Sequence, residues 1–202
     1  MLTLYDCLES GNGHKVRLLL SLLGRECRLV LKDIHAGETR TPEFLTLNPD
    51  GRIPLLRLED GTCLAESNAI LVWLAEGSSF LPDDRLERAR ALAWMFWEQY
   101  NHEPNVAVAR FWAHHPAKCP SQEQLAQKRE KGRAALELLD RHLSTRDWLV
   151  GGRASVADLC LYSYSSVSEE GGVDRDGLDA LNRWLGRIEA LPGFIAMEPW
   201  SD

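Results

Sequence analysis

The spacing of apolar residues divides the chain into two stretches that call for different architectures. From the N-terminus, Leu2 to Tyr5 reads as a short strand. Lys15 to Leu23 has the unbroken apolar density of a buried helix, stopped by Gly24. Arg28 to Lys32 sets charge around Leu-Val-Leu as a second strand would, and Pro42 to Leu47 predicts a short helical turn. Asn48-Pro49-Asp50-Gly51 is a strong turn signal. After it, Pro54 to Leu58 and Thr62 to Leu64, joined by Glu59-Asp60-Gly61, predict a hairpin, and a helix over Ser67 to Ala75 closes the series.

That order, β-α-β-α-β-β-α around one mixed sheet, matches the thioredoxin architecture and predicts a thioredoxin-like α/β domain over residues 1–80. Beyond Pro82-Asp83-Asp84 the alternation stops and only helical periods remain, which predicts an all-α helical-bundle domain over residues 86–202. Leu125, Gly132, Leu136, Leu139 and Leu143 share one helix face, as do Leu178, Leu181, Leu185, Ile188 and Leu191. Pro192-Gly193 ends the last full helix. Ser155-Val156-Ala157-Asp158 has capping-box spacing, in which the Asp158 carboxylate reaches back to the Ser155 amide, and its expected role is helix stability.

Composition narrows the function classes. With 202 residues, 45% hydrophobic and 26% charged, the chain is an ordinary globular protein able to bury a core without disulfide staples. Its 23 Lys and Arg against 30 Asp and Glu leave a net charge of -7, and both halves are acidic, so nucleic-acid and anionic-membrane binding are disfavoured. Apolar stretches such as Leu18 to Leu23, interrupted by Ser21, are far short of a membrane span. Asp6 and Glu9 stand where a secretory leader would carry basic and then apolar residues, so a cytoplasmic location is expected. Cys7, Cys27, Cys63, Cys119 and Cys160 are scattered without a Cys-x-x-Cys, which suits a reducing compartment, and most are expected to be small buried residues. Neither they nor His102-Glu103 and His114-His115 offer a metal ligand set.

Three segments can carry chemistry. Glu9-Ser10-Gly11-Asn12-Gly13-His14-Lys15 lies between the first strand and first helix, where backbone amides favour an anion and Ser10 and Asn12 can donate hydrogen bonds; taken alone, the motif reads first as a helix cap by Ser10 or Asn12. Gly51-Arg52-Ile53-Pro54 starts a strand with proline, a setting for a cis bond that would turn the Ile53 backbone outward to pair with an extended peptide. Ala65-Glu66-Ser67-Asn68-Ala69-Ile70 runs from strand to helix. There Ser67 is an N-cap candidate, or with the helix amides a carboxylate holder, and Glu66 can accept from an ammonium.

Along essentially its whole length the chain resembles soluble (cytosolic-type) glutathione transferases, of the bacterial serine-type or nu-like kind. The resemblance rests on Asn48-Pro49-Asp50-Gly51-Arg52-Ile53-Pro54, on Glu66-Ser67-Asn68-Ala69-Ile70 at the expected distance, on the Ser155 to Asp158 box, and on Ser10-Gly11-Asn12-Gly13-His14-Lys15. It implies that the cysteinyl backbone of glutathione pairs with Ile53 and that Glu66 and Ser67 hold the γ-glutamyl head group. For the glycine carboxylate it implies a side chain after the second strand, with Arg40 the best candidate, His35 and Thr39 weaker, and Arg52 a further one. It places Ser10 first, then Asn12, at the sulfur. Tyr5 has no matching tyrosine motif around it and is expected in the core.

Ionising the sulfur is a bounded task. A thiol of pKa ~8.5 is only about 3% ionised at pH 7, whereas at ~6.5 roughly three-quarters is thiolate, a change of about 2.7 kcal/mol. One charge-assisted hydrogen bond and a helix N-terminus are of that size. Cys7-Leu8-Glu9-Ser10 also has the Cys-x-x-Ser form of glutaredoxins and cysteine-type transferases. Its register is wrong for them, because the helix-start position is Ser10 and Cys7 lies three residues upstream.

In the helical stretch, six of the 16 aromatics fall between Trp94 and Trp112. Helical period assigns several to the core, and Pro104 should kink the helix and open room, with Tyr100, Asn101 and Pro104 as the expected lining for an apolar electrophile. The resemblance therefore implies a detoxification-type glutathione transferase. Glutathione would be co-substrate, no cofactor permanently bound, a small apolar electrophile the partner substrate, and the assembly a homodimer. The alternatives are a glutathione-dependent disulfide-bond reductase and a non-catalytic ligand-binding protein of the same fold.

Overall fold

The first unit is built on a four-stranded sheet in a computed structural model that describes residues 1–197. Strands β1 (Leu2–Asp6), β2 (Cys27–Leu31), β3 (Leu55–Arg57) and β4 (Cys63–Ala65) lie in the order β2-β1-β3-β4. β1 pairs with β2 in parallel and with β3 antiparallel, Tyr5 opposite Leu55; β4 returns antiparallel to β3, Ala65 opposite Leu55. Helices α1 (Gly11–Leu22), α2 (Pro42–Leu47) and α3 (Ser67–Ala75) complete the expected thioredoxin-like order. The core joins Leu4, Leu55 and Leu56 of the sheet with Val16, Leu18 and Leu19 of α1 and Ile70, Leu71 and Leu74 of α3, all essentially inaccessible. β2 is an edge strand, and its Leu29 and Leu31 stay exposed.

Two local expectations are corrected. The first helix starts at Gly11 rather than Lys15, because Ser10, extended at φ -76 and ψ 117, caps it by accepting the Gly13 amide. The glycine-containing segment is therefore the helix's first turn and not a loop. Ser67 is the first residue of α3 and not its cap; the cap position is Glu66, in the left-handed region at φ 69. Tyr5 is half-buried and meets Phe44 edge-on with ring centroids 5.8 Å apart.

The second unit, Ser79–Leu191, contains helices and no strand among the described residues. α4 (Arg85–Trp97) runs through a π-helical turn, Glu98–His102, into α5 (Glu103–His114). Pro104, in the first turn of α5, has no amide to give and its ring excludes the carbonyl one turn back. The π register, with one extra residue per turn, accommodates both demands. α6 (Gln122–Leu143), α7 (Val156–Ser166) and α8 (Asp179–Glu189) follow, and the apolar faces foreseen on the first and last of these are buried except for Leu191, which lies beyond α8 and is partly exposed. The capping box of α7 closes: one Asp158 oxygen accepts from the Ser155 amide and from its hydroxyl, each at 2.8 Å.

The aromatic run is not core. None of its six rings is fully buried, and Phe96 and Tyr100 are 72% and 84% exposed; the buried aromatics of this unit are instead Tyr162, Tyr164 and Trp184. Cysteines depart from expectation too, since only Cys160 is buried and the other four are partly exposed. From Pro192 the chain returns to the first unit, where Ser21 Oγ donates to the Gly193 carbonyl at 2.6 Å. The end of the expected helical domain, residues 198–202, lies outside the described residues. Among those described, no helix is long and apolar enough to cross a membrane, and no group of three or more His, Cys, Asp or Glu could hold a metal ion.

Candidate functional site

Strand register gathers the sequence motifs at one end of the sheet. Leu55 faces Tyr5 on one side and Ala65 on the other, both antiparallel. Beyond these pairs come Cys7 after β1, Ile53 and Pro54 before β3, and Glu66 and Ser67 after β4. The C-terminal ends of β1 and β4 and the start of β3 thus share an edge, from which α1 and α3 both depart with their N-termini. The Ile53-Pro54 bond is cis, with Pro54 buried and Ile53 partly exposed beside this edge.

Side chains close the same gap. The Ser67 hydroxyl donates to Asn12 Oδ1 at 3.2 Å, linking the first turns of α1 and α3 across 55 residues of sequence. A second donor reaches that oxygen: Lys15 Nζ at 2.8 Å, from a lysine with no solvent exposure. Ser10 Oγ accepts the Gly13 amide at 3.2 Å with a lone pair, an arrangement in which the hydroxyl proton can still be offered to an anion. Glu66 is exposed at the head of α3, and Ser67 beside it is buried.

Behind the first turn of α1 lies a group of buried ionisable residues. Asp6, at the end of β1, accepts from Arg17 Nε at 2.8 Å, and the same guanidinium donates to the Leu8 carbonyl at 2.7 Å, tying the strand-to-helix connection to α1. Burial raises the Asp6 carboxyl to about 6, against the lowering pull of Arg17 and the Cys7 amide. Gly13 packs on this carboxylate so closely that a Cβ there would overlap it. His14 is buried, its Nε2 lies 3.0 Å from the Ile195 carbonyl, and burial lowers it to about 4.

Cys7 donates its thiol proton to Glu9 Oε2 at 2.7 Å; half-burial and that carboxylate push it up to about 12. A thiol so held is a proton donor at neutral pH and not a nucleophile. Arg40 and Arg52 meet at the turn before Ile53 and are exposed. Arg40 Nη1 donates to the Asp50 carbonyl at 2.8 Å and Arg52 Nε pairs with the Asp50 carboxylate at 2.9 Å. Asn48 stabilises this turn, its Nδ2 donating to the Arg52 carbonyl at 2.9 Å. Thr39 is buried and His35 exposed.

Tyr100, Asn101 and Pro104 belong to the other unit, on the π-helical turn and at the start of α5. Tyr100 and Asn101 are exposed and Pro104 partly so. A cavity of about 710 Å³ in that unit lies elsewhere on α4, lined by Arg90, Trp94, Trp97, His142, Arg146 and Leu149 among others. His102 is buried, with Nε2 2.9 Å from Ser165 Oγ, as a structural histidine.

Sequence reading missed Lys15, Asp6, Arg17 and His14. Lys15 had a signal, since it stands three residues after Asn12 on one helix face. Asp6 had none, because an aspartate at a strand end ordinarily reads as solvated.

Comparison with known proteins converges on one family. Residues 1–76 match the model "Glutathione S-transferase, N-terminal domain" and residues 95–192 the model "Glutathione S-transferase, C-terminal domain". A crystal structure of a glutathione S-transferase from Pseudomonas fluorescens Pf-5 superposes with a TM-score of 0.94 at 42% identity, over 97% of this chain and 98% of that one. One from Xanthobacter autotrophicus Py2 gives a TM-score of 0.93 at 39% identity, over 98% of both chains. Among curated relatives, the disulfide-bond oxidoreductase YfcG of Escherichia coli K12 is 29% identical over 199 residues, 95% of this chain and 92% of that protein.

Proposed function

Because the chain belongs to the glutathione S-transferase family, we propose that it binds glutathione at the shared sheet end and conjugates it through its sulfur to an apolar electrophile. The Ile53 backbone pairs with the cysteinyl residue, Ser67 and Glu66 take the γ-glutamyl carboxylate and ammonium, and Arg40, with Arg52 beside it, takes the glycine carboxylate. The sulfur lies at the start of α1, where Ser10 and Asn12 donate to the thiolate. The observation that carries this reading is the Ser67 to Asn12 hydrogen bond, because it puts a head-group residue and a sulfur residue within one tripeptide's reach.

Thiolate formation supplies the nucleophile, which attacks an electrophilic carbon and expels its leaving group. The protein's own contribution is ionisation together with proximity. Cys7, held protonated, takes no covalent part. Tyr100, Asn101 and Pro104 are the proposed lining for the electrophile, and the protein works as a homodimer in the cytoplasm, in detoxification.

Conjugation of a chloronitrobenzene, measured with glutathione affinity for wild type, Ser10→Ala and Asn12→Ala, tests the reading. The expected result is a loss of kcat with little change in glutathione binding; equal loss in both would contradict a thiolate-specific role. A second reading, glutathione-dependent disulfide reduction, is favoured by the oxidoreductase among the relatives. In it the same thiolate attacks sulfur instead of carbon. Hydroxyethyl disulfide assayed in parallel separates the two.

A further inference from the structure

Asn12 can assist a thiolate only if its amide nitrogen, and not its carbonyl oxygen, faces the sulfur. A rotation of the carboxamide by half a turn would present a repelling lone pair where a donor is needed. Lys15 offers a means of fixing that choice. Its ammonium is fully buried one helical turn away and carries donors only, so the atom 2.8 Å from it must be the Asn12 oxygen. The Ser67 hydroxyl supports the same orientation at 3.2 Å.

Ser67, however, has one proton. In the proposed complex that proton is required by the γ-glutamyl carboxylate, the stronger acceptor, so the hydrogen bond to Asn12 is surrendered when glutathione binds. The ammonium carries three protons, so it can keep donating to Asn12 whatever else it contacts. Taking it from water costs several kcal/mol, which an acceptor at hydrogen-bond distance partly offsets.

We propose that Lys15 is a positioning residue that holds the Asn12 carbonyl inward through substrate binding and thereby keeps the Asn12 amide aimed at the glutathione sulfur. This rests on the reading of the site given above. It makes Lys15 act through Asn12.

The test compares the ionisation of bound glutathione, followed by ultraviolet thiolate absorbance against pH, in wild type, Asn12→Ala, Lys15→Met, Lys15→Gln and the double variant Asn12→Ala/Lys15→Met. Affinity for S-methylglutathione, which has no ionisable sulfur, is measured alongside. Methionine fills the lysine's space without a buried charge, so folding is retained. Lys15→Met should cut the thiolate-to-thiol ratio about tenfold, the value of one charge-assisted hydrogen bond, with S-methylglutathione affinity unchanged. The double variant should be no worse than Asn12→Ala, and Lys15→Gln, a neutral donor, should recover part of the loss. Normal ionisation in Lys15→Met, or an equal further loss in the Asn12→Ala background, overturns the positioning role while leaving the glutathione site intact. A harmless Asn12→Ala beside a damaging Ser10→Ala overturns it as well. If wild type fails to bind glutathione, the site reading falls, and the inference with it.

Discussion

Both units bury charge, and they use it in opposite ways. In the helical unit, Asp158 is saturated: one oxygen takes the Ser155 amide and hydroxyl, and the other takes the Leu149 amide and the Trp184 indole, each at 2.9 Å. A carboxylate bound by donors from three segments fastens the start of α7 to a loop and to α8. In the sheet unit, Asp6, His14 and Lys15 crowd behind a single helix turn that has Ser10 and Asn12 on its first residues. The first arrangement fastens the fold, whereas the second sets ionisable groups behind the proposed glutathione site.

The sharpest way to break that contrast is to remove the fastener. Asp158→Ala leaves an indole, two amides and a hydroxyl without their acceptor and should cost about 3–5 kcal/mol of unfolding free energy. Urea denaturation measures it. At temperatures where the variant stays folded, ionisation of bound glutathione should be that of wild type. A mild loss of stability, or a shift in thiol pKa, would show that the two kinds of buried charge are not separate in function.

The same contrast explains what could be read from the sequence. Turns, caps and prolines act on the backbone within a few residues, so Asn48 to Pro54, Ser155 to Asp158 and Ser67 to Ala75 were legible, and strand pairing then brought the motifs to one edge. Side-chain direction on a long helix is set by phase, and the π-helical turn at Glu98–His102 shifts that phase by a residue. A regular period carried across that turn assigned several of the six rings to the core, and none of them is fully buried. Asp6 was illegible for a different reason: its burial depends on Gly13 and Arg17 arriving from α1, a tertiary fact without a local pattern.

A pH series sharpens the description of the sheet unit. Asp6 is raised from 3.8 to about 6, so between these values the fold keeps a proton that the unfolded chain has released, and stability falls as pH rises. His14 is lowered from 6.5 to about 4, so over nearly the same range the unfolded chain takes a proton that the fold refuses, and stability rises with pH. Each contribution is about 3 kcal/mol and the two nearly cancel in wild type. Relative to wild type, Asp6→Asn should therefore gain stability as pH rises from about 4 to 6, and His14→Gln should lose it. Unfolding midpoints across that range read the difference, with exposed carboxylates common to all three proteins. Parallel profiles would mean that neither group is buried as described.

The smallest effect distinguishes the units by sign. Gly186, within α8, has open space where a Cβ would stand, so Gly186→Ala should stabilise the protein by about 1 kcal/mol through helix propensity alone. Gly13 is also helical and offers the same propensity gain, but a Cβ there overlaps the Asp6 carboxylate, and displacing that group pulls on Arg17 and on the Leu8 carbonyl it holds. Gly13→Ala should accordingly destabilise by about 1–3 kcal/mol and weaken glutathione binding, since the strand-to-helix connection must shift. Adding Asp6→Ala removes the obstruction, and the double-mutant cycle should show at least about 1 kcal/mol of coupling between the two positions. Should Gly13→Ala stabilise as Gly186→Ala does, Asp6 does not lie under α1.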